Sequence, residues 1–144
     1  MRIVIDTSVI VSAIKPEEVF HDQSVEFLER VRQWGDEIWT PMTQLWEIGA
    51  ALDHPGKTRK GTKFHQSFNV SVQFVPIDES LFQRTWKPNL RVSVKAADRI
   101  FLSCAIEKDA ELISWDDNLV RNASTFAVSA QTPDTYLKTH ERKK

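Results

Sequence analysis

Short apolar runs that end on an acid alternate along this chain with stretches of helical spacing. Arg2 to Ile5 is a β-branched run closed by Asp6, and Ala110 to Ser114 is a second apolar run closed by Trp115-Asp116-Asp117. Runs this short and this uniformly apolar suit strands buried on both faces, as in a parallel sheet. Between them, Asp6-Thr7-Ser8 reads as a turn into a helix over Val9 to Ile14. Asp22 to Trp34 places Val25, Leu28, Val31 and Trp34 three residues apart, and Gly35 follows as a stop.

The rest of the chain keeps the alternation. Glu37 to Trp39 reads as a short strand, and Thr40-Pro41 as the cap and first residue of a helix through Leu45, Ile48 and Leu52. Val70 to Ile77 reads as a short or edge strand because Pro76 lies near its end. A helix is expected behind Asp78, running to Trp86, and another behind Ser93, with a buried interior from Ile100 to Ile106. Thr125 to Ser129 reads as a last strand and Pro133 to Leu137 as a closing helical turn. The expected architecture is an α/β domain with a mainly parallel central sheet flanked by helices. It is expected to be one domain over residues 1–138, with a polar tail over 139–144.

Composition narrows the function classes. The 144 residues carry 19 Lys and Arg against 20 Asp and Glu, a net charge of −1, which excludes a uniformly basic nucleic-acid coat but not a local basic patch. Cys104 is the single cysteine, so neither an internal disulfide nor a multi-cysteine zinc site can form, and a reducing cytoplasm fits. No apolar run is long enough to span a membrane. The opening Met1 to Asp6 reaches an acid too early for a signal-peptide core.

In open parallel sheets, sites form beyond the carboxyl ends of the strands. Asp6 and Asp116 both lie there. Two further acids interrupt apolar helical stretches: Glu47 among Leu45, Trp46 and Ile48, and Asp98 between Ala96-Ala97 and the run from Ile100. Each has a plainer use. Asp6 serves as a turn residue, Glu47 as a flank charge, Asp98 as a partner of Lys95 or Arg99, and Asp116 as a strand end. Taken together they suggest more. Buried carboxylates need a partner or a cation, and clustered carboxylates select hard ions such as Mg²⁺ or Mn²⁺.

The ordered set resembles the PIN-domain nucleases, and among them the VapC-type toxins of toxin–antitoxin modules. Ile3-Val4-Ile5-Asp6-Thr7-Ser8 is similar to the family's opening strand and acid. Leu45-Trp46-Glu47-Ile48 is similar to its helix-borne glutamate, Ala97-Asp98 to its third acid, and Leu112-Ile113-Ser114-Trp115-Asp116 to its strand followed by Thr/Ser-x-Asp. The resemblance spans Arg2 to about Leu137. It implies a PIN-like three-layer fold in which Asp6, Glu47, Asp98 and Asp116 are catalytic and hold Mg²⁺, with Mn²⁺ also suitable. Thr7, Ser8, Ser114 and Asp117 would support them. The implied reaction is hydrolysis of RNA phosphodiesters, and the implied partners are a cognate antitoxin and a second copy of the chain in a homodimer.

The chain departs from the family at two places: Lys108-Asp109 stands where a glycine usually precedes the final strand, and Arg99 follows the third acid. Arg91, Lys95 and Arg99 are candidates for RNA phosphates, as is the basic stretch from Lys57 to Lys63. The four histidines, His21, His54, His65 and His140, show no ligand or triad spacing. Trp39, Trp46 and Trp86 are expected in a core or interface, whereas Trp115 falls at the site mouth. A haloacid-dehalogenase-like phosphatase shares the strand-and-Asp opening but needs a second Asp where Ser8 stands. A non-catalytic PIN-like binding module would have no need of the four acids, yet all four are present. A housekeeping or structured-nucleic-acid nuclease of the same family would keep them.

Overall fold

The computed structural model describes residues 1–52, 70–86 and 93–141. Strands β1 (Arg2–Ile5), β2 (Glu37–Pro41), β3 (Val72–Val75), β4 (Glu111–Ile113) and β5 (Ala130–Gln131) form one sheet in the order β3-β2-β1-β4-β5. Every pairing is parallel, with Val4 opposite Trp39 on one side and Leu112 on the other. The helices are α1 (Thr7–Ile14), α2 (His21–Trp34), α3 (Thr43–Leu52), α4 (Glu79–Thr85), α5 (Ala96–Lys108), α6 (Asp117–Asn122) and α7 (Pro133–Glu141).

Strand side chains alternate between faces, and the two cores divide accordingly. Ile3, Ile5, Ile38 and Ile113 pack with Phe27, Leu28 and Val31 of α2, Ile48 of α3 and Tyr136 of α7. Val4, Leu112 and Val75 point the other way, onto Leu81 of α4, Phe101, Leu102 and Ala105 of α5, and Leu119 of α6. The result is the expected three layers. Chain order runs outward from β1 through β2 to β3, then returns to the other side of β1 for β4. That reversal opens a crevice at the carboxyl ends of β1 and β4.

Local chemistry sets most element ends. Gly35 closes α2 at φ 70°, its N–H bonding to the carbonyls of Arg32 and Val31. Asp78 caps α4 by accepting from Leu81 N at 2.9 Å. Asp109 closes α5 at φ 49°, so the aspartate at the usual glycine position takes up the left-handed conformation itself. The Cys104 thiol is fully buried in α5, and burial pushes its pKa up to about 12, so it stays a neutral core group.

Three readings need correction and one is narrowed. Thr40 and Pro41 belong to β2, where Pro41 lies opposite Val75, and α3 starts only at Thr43. Lys95 rather than Ser93 precedes the first residue of α5. The stretch expected as a last strand is a 3-10 turn over Ala123–Phe126, closed by Ala127 at φ 57°, and pairing begins at Ala130. Of the two placements expected for Trp46 and Trp86, core or interface, the core is excluded: they are 78% and 54% exposed. The basic stretch from Lys57 to Lys63, together with His54 and His65, lies outside the described residues.

Candidate active site

Asp6 directly follows β1. Its backbone N–H extends the pairing to Ile113 O at 2.9 Å, so it is fixed at the mouth of the crevice. The side chain is 6% exposed and also caps α1. Its Oδ2 accepts from Ser8 Oγ at 2.6 Å, from Ser114 Oγ at 2.8 Å and, more weakly, from Ser8 N at 3.4 Å. One oxygen therefore takes the bonds that set the carboxylate's orientation.

Asp116 lies two residues beyond Ser114, past the end of β4. Its Oδ1 accepts from Asn118 N at 2.9 Å and Leu119 N at 3.1 Å, making it the cap of α6. Its own N–H donates to Ser114 Oγ at 2.9 Å. Ser114, fully buried, thus ties Asp6 and Asp116 together.

Glu47 and Asp98 arrive from helices on opposite faces of the sheet. Burial raises the pKa of Glu47 first; Thr7 lowers it, and the charges of Asp6 and Asp98 raise it further. Thr7 Oγ1 faces this carboxylate without reaching hydrogen-bond geometry and is buried without a partner. Burial also pushes Asp98 up to about 6, with further push from Asp6 and Asp116, while Lys95 opposes. The four acids therefore share one electrostatic environment. Asp98 Oδ2 is buried with no hydrogen-bond partner. Thr43 Oγ1, one turn before Glu47 on α3, is likewise unpartnered.

Among the described residues, no three His, Cys, Asp or Glu side chains close around a single point as they stand. The donor chemistry still fits a hard divalent cation: an oxygen-only acid set with a stranded carboxylate oxygen and two raised pKa values.

The other candidates fall unevenly. Asp117 is exposed in the first turn of α6. Lys95 is exposed beside Asp98, whereas the Arg99 guanidinium sits over the Phe126 ring at 5.9 Å. Neither makes an ion pair with Asp98 among the described residues, so that plainer use of Asp98 is not realised. Arg91 lies outside the described residues. Two contributors escape a reading of the sequence. Gln44 is 1% exposed and donates from Nε2 to Ile5 O at 2.6 Å. Ser24 accepts the indole N–H of Trp115 at 2.8 Å. The sequence signal for Gln44 is a polar residue four before Ile48, on the core side of α3.

Comparison with known proteins bears on the fold. Residues 3–124 match the model of the PIN domain family. Among solved structures, the chain is similar to the VapBC2 complex of Rickettsia felis bound to a promoter DNA fragment. The TM-score there is 0.68 at 15% identity, covering 92% of this chain and 98% of that one. FitAcB from Neisseria gonorrhoeae gives 0.64 at 17% identity, covering 91% and 97%. VapBC-1 from nontypeable Haemophilus influenzae gives 0.66 at 15% identity, covering 93% and 99%. No curated protein matches the chain. The family match spans β1 through α6 and takes in all four acids, so the chain belongs to the PIN domain family.

Proposed function

We propose that this protein is a metal-dependent endoribonuclease and the toxin of a type II toxin–antitoxin system. The observation that carries the catalytic part is the shared electrostatic environment of Asp6, Glu47, Asp98 and Asp116 at the crevice between β1 and β4, with Asp98 Oδ2 stranded. These four residues would hold Mg²⁺ or Mn²⁺. Bound there, such an ion would neutralise the phosphate and lower the pKa of water.

The chain's own groups prepare the site. Ser8 and Ser114 fix the Asp6 carboxylate through Oδ2. Ser114 also sets the backbone of Asp116. Lys95, beside Asp98, offers positive charge to the substrate backbone. The toxin part rests on the likeness to the VapBC complexes named above. With it goes a protein partner, the antitoxin; a homodimer is part of the same proposal.

The test is RNA cleavage by the pure protein. Cleavage should require Mg²⁺ or Mn²⁺, stop with EDTA, and be lost in Asp6→Asn with an unchanged circular dichroism spectrum. Full activity of Asp6→Asn contradicts the assignment. Expression of the chain alone should slow growth, and co-expression of its antitoxin should relieve it. Harmless accumulation of soluble protein argues against the toxin role.

A further inference from the structure

Trp115 stands between two residues of the site, Ser114 and Asp116, and its ring is held rigidly. Its backbone N–H donates to Ser8 Oγ at 3.1 Å, and that hydroxyl donates to Asp6 Oδ2. The indole N–H is satisfied by Ser24 Oγ at 2.8 Å. One face of the ring is covered by Phe20, whose centroid lies 4.1 Å away with the planes only 9° apart.

Phe20 covers Trp115, which itself packs against the core around Phe27 and Tyr136, and leaves its own outer face open. It belongs to neither hydrophobic core and is 39% exposed, and its neighbour Val19 is 84% exposed. The segment carrying it is nonetheless pinned. Glu18 N bonds to Lys15 O at 3.1 Å, His21 N to Glu18 O at 3.1 Å, and His21 Nδ1 meets Ser12 O at 2.9 Å. Phe20 therefore presents one solvent-open aromatic face from a fixed segment, with its other face on Trp115.

We propose that the Phe20–Trp115 stack is a nucleobase platform, on which a base of single-stranded RNA stacks beside the nucleotide held at the acids. This rests on the ribonuclease reading and deepens it. Every base has a π face, and aromatic stacking holds a strand without reading its sequence. A fully bonded indole adds no competing polar group. The backbone N–H of Trp115 bonds the same Ser8 hydroxyl that holds Asp6, so the residue carrying the stack is anchored beside the acid crevice.

The experiment measures binding and cleavage of a short RNA by wild type, Phe20→Ala, Phe20→Leu and Phe20→Trp. It is repeated with an RNA carrying one abasic nucleotide, moved stepwise along the strand. Phe20→Ala and Phe20→Leu should raise KM about tenfold, with kcat and melting temperature little changed, and Phe20→Trp should retain wild-type KM. At one position the abasic RNA should bind wild type as weakly as intact RNA binds Phe20→Ala, and the two losses should not add. An unchanged KM in Phe20→Ala and Phe20→Leu overturns the platform while leaving the ribonuclease reading intact. Additive losses at every abasic position do the same, as does an effect on self-association or antitoxin binding without one on RNA. Absence of RNA binding and cleavage in wild type overturns the ribonuclease reading itself, and the platform with it.

Discussion

Gln44 Nε2 donates to the carbonyl of Ile5 at 2.6 Å inside the core, joining α3 to the last residue of β1. Ile5 precedes Asp6, and Gln44 lies three residues before Glu47, so one buried bond sets the spacing of two acids. Gln44→Ala leaves that carbonyl unsatisfied and should cost about 1–3 kcal/mol. A denaturant melt should show that loss, and the cleavage rate should fall with it under conditions where the variant is folded. Wild-type stability in Gln44→Ala would show that the bond does not hold the helix.

Ser114 is the second such link, because its hydroxyl serves both Asp6 and Asp116. Removing a supporting partner of this kind typically costs about 10- to 100-fold. Ser114→Ala should therefore lower kcat by about that factor, read in a cleavage assay at saturating Mg²⁺. Ser8→Ala should act in the same direction through the other hydrogen bond to Oδ2.

The left-handed Asp109 gives a prediction free of the active site. At φ 49° glycine is the residue with no steric penalty. Asp109→Gly should stabilise the protein by about 0.5–1 kcal/mol without altering cleavage. A lower melting temperature would mean that the aspartate side chain contributes something the backbone geometry does not show.

These links also show where sequence reading reaches its limit. The strands at Arg2 to Ile5 and Ala110 to Ser114 are legible because buried parallel strands leave unbroken apolar runs. The acids at their ends are legible because chemistry in such sheets gathers there. Thr40-Pro41 misleads because a proline suits the last residue of a strand as well as the first of a helix. The stretch from Thr125 misleads because Ala127 turns left-handed and defers pairing to Ala130. Gln44 and Ser24 escape notice because their partners, Ile5 O and Trp115, are far away in sequence. The motif puts Trp115 at the mouth, but its stack with Phe20 is a product of the fold.

Asp98 makes the metal-free protein sensitive to pH. Its folded-state pKa is raised to about 6 from an ordinary value of 3.8, by burial first and then by Asp6 and Asp116. The folded protein therefore holds this proton more tightly than the unfolded chain. The stabilisation is present below about pH 4 and is lost as pH rises through about 6. In EDTA, Asp98→Asn should gain in melting temperature relative to wild type across that window. A constant difference from about pH 4 to about pH 7 would show that the carboxylate is not perturbed.

The central claim is that the four acids act as one cation site, and a paired thermal melt tests it most directly. Asp98→Asn keeps the side chain's shape and removes one of the repelling charges, so in EDTA at neutral pH it should melt higher than wild type. On this account Mg²⁺ binds the folded site alone, and it should stabilise wild type by about 2.7 kcal/mol at a hundredfold excess over Kd. The variant should gain much less. If Asp98→Asn melts lower in EDTA and gains as much from Mg²⁺ as wild type, Asp98 is a structural acid and the single-site account is wrong.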